Sequence, residues 1–158
     1  MPIFYKTKNF EVSAHDNPHI TRKDGGHIKI SPKKKVENRW DLTVDQAKEL
    51  MILSMIVGQA MKKCLNRQGI PVKRINFQDN GNWAFLKKTK PYFHLHLYGR
   101  SEKSKYQKFG ESLSFPPYKS EFYKTTKPLN KTDIKEIVKQ IKKLEKSKKY
   151  KEEKWTLS

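Results

Sequence analysis

The sharpest pattern in the chain lies in residues 91–100, where Tyr92, His94, His96 and Tyr98 alternate with Phe93, Leu95 and Leu97. Seven residues of period two predict a strand with one polar and one apolar face. The same alternation recurs at 27–31, where His27, Lys29 and Ser31 take turns with Ile28 and Ile30. Residues 72–77 predict a third strand, the pair Asn80-Gly81 a tight turn, and residues 82–86 a fourth strand returning from it. A weaker signal at 3–12 suggests an early strand, and residues 14–26 are dense in turn formers.

Between these strands the period becomes helical. Thr43-Val44-Asp45-Gln46 has the form of a capping box, with the Thr43 hydroxyl facing the Gln46 amide and the Gln46 side chain reaching back. Leu50, Ser54, Met61 and Leu65 continue one stripe, and Gly69 with Pro71 marks its end. Ile52, Leu53, Ile56 and Val57 widen the apolar surface, so this helix is expected to be covered twice, by the sheet and by either the C-terminal helix or a second copy of the chain. After Asn130 comes a basic helix whose stripe is Ile134, Ile137, Val138, Ile141 and Leu144. The expected fold class is α+β: an antiparallel sheet of about five strands, a central helix over about 43–67, and a C-terminal helix. Residues 1–125 are expected to form the domain proper, with 126–158 a basic C-terminal helix and tail in which Trp155 has no assigned role.

Charge narrows the partners. Among 158 residues, 35 Lys and Arg face 16 Asp and Glu, a formal +19 that attracts polyanions without choosing among nucleotides, nucleic acid and anionic membrane surfaces. Eight Phe, seven Tyr and three Trp argue for a packed domain rather than disorder. The single cysteine, Cys64, excludes an internal disulfide and sits among apolar helix residues as a packed thiol. With no run of roughly 18 apolar residues and no signal-like start, the protein is expected to be cytoplasmic. The run Lys33-Lys34-Lys35 is expected to be a solvated loop, whereas Lys87, Lys88 and Lys90 are candidates to hold phosphate as point charges.

The paired imidazoles are the candidate chemistry. His94 and His96 share a strand face with Cα atoms roughly 6.5 Å apart, so one can attack a substrate atom while the other holds or protonates a neighbour. From here the chain resembles the histidine triad (HIT) superfamily of nucleotide hydrolases and transferases, whose mark is His-φ-His-φ-His-φ-φ with φ apolar. Its middle histidine falls on His94 and its third on His96, while Tyr92 stands at the first. Gly26-His27-Ile28-Lys29-Ile30-Ser31-Pro32 resembles the family's Gly-His strand, and Ile75-Asn76-Phe77-Gln78-Asp79-Asn80-Gly81 resembles the strand and turn that carry a substrate-binding amide. The likeness spans about residues 17–100.

The resemblance implies a HIT-like fold, often dimeric, that attacks the α-phosphate of an adenine nucleotide through a covalent nucleotidyl-histidine. His94 is then the nucleophile, His96 and His27 complete the imidazole cluster, and Gln78, Asn17 or His19, Thr89 and Tyr92 contact substrate. Tyr92 keeps the backbone carbonyl that orients the nucleophile but brings no titratable imidazole, since a phenol titrates near 10. No cofactor or metal is implied. Two alternatives follow from the residues themselves: a zinc site of His27, His94 and His96, and a nucleic-acid-binding module built on the +19 charge and on the aromatic and basic residues of 101–130.

Overall fold

The computed structural model describes residues 2–151, so the expected tail with Trp155 lies outside the described residues. Five antiparallel strands, β1 (Ile3–Lys6), β2 (Phe10–Ala14), β3 (His27–Pro32), β4 (Val72–Asp79) and β5 (Leu95–Ser101), lie in the order β1-β2-β3-β5-β4. Helices α1 (Val44–Arg67), α2 (Trp83–Leu86), α3 (Phe122–Thr125) and α4 (Lys131–Glu145) complete the α+β arrangement.

Alternation decides which face meets the helices. Phe10 and Val12, Ile28 and Ile30, and Leu95 and Leu97 are buried in one core with Leu53, Ile56, Val57, Met61 and Leu65 of α1. Ile137 and Ile141 of α4 join that same core, so the second apolar side of α1 is covered by the C-terminal helix. Both helices begin as written in the sequence: Thr43 and Asn130 each close a capping box, with Gln46 and Asp133 respectively. Asp133, fully buried, also accepts two hydrogen bonds from Arg22, at 2.6 and 2.9 Å, which ties α4 to the loop before β3.

Three expectations change. The early strand is a hairpin, because Thr7 turns back on Phe10 and the Glu49 carboxylate accepts from the Thr7 hydroxyl and from the Asn9 backbone and side-chain amides. Residues 82–86 form the single-turn helix α2 instead of a strand. Local bonds from Ala84 to the Gly81 carbonyl and from Phe85 to the Asn82 carbonyl start the turn, and Trp83 packs 5.4 Å from Tyr118 and 5.5 Å from Tyr123. The returning strand is β5 itself. Its ladder begins only at Leu95, since the Phe93 amide donates to the Val36 carbonyl outside the sheet, and this leaves His94 just ahead of the ladder.

The opposite face of the sheet is polar, and its register builds the site. Ser13, Lys29, His96 and Gln78 line up across β2, β3, β5 and β4, and His27, Tyr98 and Asn76 form the adjacent row. At the head of β3, Gly25 and Gly99 touch so closely that a Cβ on Gly99 would lie 2.0 Å from the Gly25 carbonyl oxygen. Gly25 adopts φ +129°, a conformation that L side chains rarely take. The Gly99 amide donates to the Gly26 carbonyl at 3.1 Å, fixing the entry of β3 one residue before His27. Gly99→Ala should therefore destabilise the fold by about 3 kcal/mol or more, read as a lowered urea midpoint; an unchanged midpoint would show that the strands separate freely at this point.

Candidate functional site

All five histidines of the chain converge on the polar face. His27 stacks on His15 with ring centroids 5.0 Å apart, lies 4.9 Å from both His19 and His96, and His96 lies 4.5 Å from His94. His94 comes from the residue before β5 and His96 from its second position, His27 from the start of β3, and His15 and His19 from the loop after β2. His15, His19, His94 and His96 border a cavity of about 360 Å³, to which Lys29, Lys87, Asn80, Trp83, Tyr92 and Phe115 also contribute, and His27 lies buried behind them.

Hydrogen bonds to the backbone assign the protons. A carbonyl only accepts, so the 2.9 Å contact between His94 Nδ1 and the Tyr92 oxygen places hydrogen on Nδ1 and leaves Nε2 with a free lone pair. A backbone amide only donates, so His27 Nδ1, which accepts from the His19 N–H at 3.2 Å, is bare. His27 then carries hydrogen on Nε2 and donates it to His96 Nδ1 at 2.7 Å, which leaves His96 with its hydrogen on Nε2. Asn80 Nδ2 donates to the Tyr98 hydroxyl at 3.1 Å, and that hydroxyl shares a hydrogen bond with His19 Nδ1 at 2.8 Å. The result is a lone-pair nitrogen on His94 beside an N–H on His96.

Burial keeps these imidazoles uncharged. His27 and His96 are both pushed well below the ordinary histidine value, first by loss of solvent and then by neighbouring imidazoles and Lys29. Burial also lowers His15 and His19 to about 4, with Lys29 adding to the effect at His15. His94 is lowered by burial and by Lys29 and Lys87, against the opposing bond to the Tyr92 carbonyl. Burial raises the Tyr98 phenol, which stays protonated.

The structure gathers His94, His96, His19 and Tyr92 at one cavity, with His27 behind them and hydrogen-bonded to His96. It leaves other candidates elsewhere. Gln78 pairs with His96 and keeps a buried, unpartnered Oε1, yet it does not line the cavity. Asn17 is exposed in the loop, and the Thr89 hydroxyl turns to the Ala84 carbonyl at 3.4 Å; neither borders the cavity. Of the three lysines expected near phosphate, Lys87 borders the cavity, while Lys90 lies 3.4 Å from Glu37 in an ion pair. Arg100 holds the carbonyls of Lys108 and Glu111. His15, Lys29, Asn80 and Trp83 are site residues that pattern reading missed. Lys29 alone carried a signal, being the middle residue of the polar alternation that begins at His27.

Among the described residues, the nitrogens that converge within 4.8 Å belong to His19, His27 and His96 rather than to the set with His94. Two of them already share a proton at 2.7 Å, so a cation there would have to displace it.

With this geometry in hand, comparison with solved structures identifies the fold. A Hit-like protein from Bartonella henselae, described as involved in cell-cycle regulation, is 17% identical with a TM-score of 0.56 over 89% of this chain and 87% of its own. A hypothetical histidine triad nucleotide-binding protein from Sulfolobus tokodaii is 18% identical with a TM-score of 0.57 over 90% and 85%. A zinc-bound histidine triad family protein from Mycobacterium smegmatis is 18% identical with a TM-score of 0.55 over 92% and 88%. The fold is the histidine triad fold. No protein-family model and no curated protein matches the sequence.

Two measurements check the site. Nitrogen NMR at neutral pH should show His94 as the Nδ1–H tautomer and His27 and His96 as Nε2–H tautomers; the reverse assignment at His94 would remove its lone pair from the cavity. A histidine kept neutral by folding binds protons more readily when unfolded, so its stabilising share is complete above 6.5 and falls as pH drops toward the folded values of about 4 at His15 and His19. The urea midpoint should decrease between about pH 7 and about pH 5, and less steeply in a His15→Gln, His19→Gln double variant.

Proposed function

We propose that this protein is a nucleotide-binding hydrolase or nucleotidyl transferase that works through a covalent intermediate on His94. The observation that carries the reading is the bond from His94 Nδ1–H to the Tyr92 carbonyl, which commits Nε2 to the cavity as a nucleophile. A tyrosine supplies that carbonyl as well as a histidine would. The histidine triad fold supports the reading, as does the description of the Sulfolobus protein as nucleotide-binding.

In the first step His94 Nε2 forms a bond to the α-phosphorus, and the bond to the leaving group breaks with its electron pair. His96 Nε2–H steadies a phosphoryl oxygen or follows the departing atom. In the second step water attacks phosphorus, the N–P bond breaks back to His94, and the water's proton goes to solvent. Lys29 and Lys87 offset phosphate charge, the Asn80 amide is a polar contact for the ribose phosphate, and Trp83 and Phe115 offer apolar surface for an adenine. No metal or cofactor enters the scheme. Diadenosine polyphosphates and adenosine phosphoramidates are both within its reach. We place the protein in the cytoplasm, and a homodimer is part of this proposal through exposed Met51 of α1 and Phe77 of β4.

A second reading rests on Tyr92, which removes one titratable group: a nucleotide-binding domain without turnover, or one that binds nucleic acid through its charge. Product release from a diadenosine polyphosphate and from an adenosine phosphoramidate, measured on the wild type and on His94→Asn, separates the readings. The substitution should lower turnover at least about a thousandfold, and the wild type should yield a trapped nucleotidyl-protein. Absence of turnover with AMP still bound would favour the non-catalytic reading. Steeply salt-dependent binding of single strands, indifferent to His94→Asn, would favour the nucleic-acid module.

A further inference from the structure

Lys29 and Tyr92 border not one hollow but two. The second, also of about 360 Å³, is lined further by Ser13 and Glu11 of β2, by Ser31 of β3 and by Lys33 and Lys35 just beyond it. Lys29 is only 6% exposed, yet no ion pair among the described residues includes it; its ammonium meets the Tyr92 hydroxyl at 3.4 Å. A buried ammonium without a counter-ion is unfavourable, and a bound anion offsets that cost. Ser31 adds a buried hydroxyl oxygen with no hydrogen-bond partner. Lys35 lies 5.1 Å over the Tyr92 ring, and Lys33 holds the carbonyls of Thr7 and Lys8 while keeping its charge at the rim. The one carboxylate in the lining, Glu11, is paired with Lys6 at 3.1 Å.

We infer that this hollow is a second anion subsite, built by Lys29, Ser31, Lys33, Lys35 and Tyr92, that holds the phosphate beyond the scissile bond when the α-phosphate faces His94. The inference rests on the His94 reading above and names the leaving group which that reading left open. An amine must collect a proton as it departs. A phosphate oxygen leaves with the electron pair of the broken P–O bond as a stable anion, and it needs a fixed positive charge more than an acid. Position 92, with a phenol held by an ammonium, supplies that environment. The substrate class is therefore a phosphoanhydride with at least one phosphate beyond the α-phosphorus.

The test is calorimetric binding of inorganic tripolyphosphate to the wild type, Lys35→Glu, Lys29→Met and Lys34→Glu. Lys34 is exposed and borders neither hollow, so its reversal makes the same change in net charge as that of Lys35. Affinity should fall about tenfold or more for Lys35→Glu and Lys29→Met, and by less than about twofold for Lys34→Glu. Equal losses at 34 and 35 would assign the binding to the general field of the protein and overturn the subsite. If Lys29→Met fails to fold, as judged by its melting transition, the pair of exposed reversals decides alone. For turnover, the ratio of kcat/KM for diadenosine tetraphosphate to that for adenosine phosphoramidate should fall about tenfold in Lys35→Glu, and an unchanged ratio would overturn the leaving-group assignment. A wild type that turns over neither substrate defeats the His94 reading, while the tripolyphosphate comparison still decides the subsite.

Discussion

The hydrogen bond between the buried imidazoles of His27 and His96 is the contact on which the site depends, because it spans β3 and β5 and carries proton assignments between them. It needs a bare nitrogen on His96 to accept, and burial keeps both rings neutral. It also needs β3 to enter the sheet in one register, with His27 opposite Tyr98 and Lys29 opposite His96. The contact of Gly25 with Gly99 sets that register from the backbone, at a separation no side chain could occupy. A one-residue slip would send His27 to the core and an isoleucine to the cavity.

Tyr92 is better understood through its main chain than through its ring. The carbonyl that orients His94 comes from the peptide unit, so a phenol at this position leaves the His94 tautomer intact. What changes is the charge next to it. The phenol hydroxyl meets the Lys29 ammonium at 3.4 Å, so a cation lies against the side chain at this position. The tautomer of His94 and its electrostatic surroundings are thus set by separable features of the same residue.

Much of the architecture was legible because it depends on local rules. Period two located β3 and most of β5, and the capping box located the start of α1 to the residue. The errors fell where local signals compete with long-range contacts. Residues 82–86 carry aromatic and aliphatic types that suit a strand, but Trp83 finds Tyr118 and Tyr123, more than thirty positions away, and the segment coils to meet them. Asn17 and Thr89 were reasonable by type and place in the chain, whereas Asn80, read only as a turn residue, reaches the Tyr98 hydroxyl and the cavity.

By itself the sequence determined the fold class, the strand faces and the pairing of His94 with His96, since each follows from spacing along one element. The tertiary structure alone decided that His15 joins them and that His19 rather than Asn17 does, that Lys29 is buried with no carboxylate partner among the described residues, and which nitrogen of His27, His94 and His96 carries hydrogen. Those outcomes require loops, strands and backbone carbonyls far apart in the chain to be fixed within hydrogen-bond distance, and no periodicity encodes that separation.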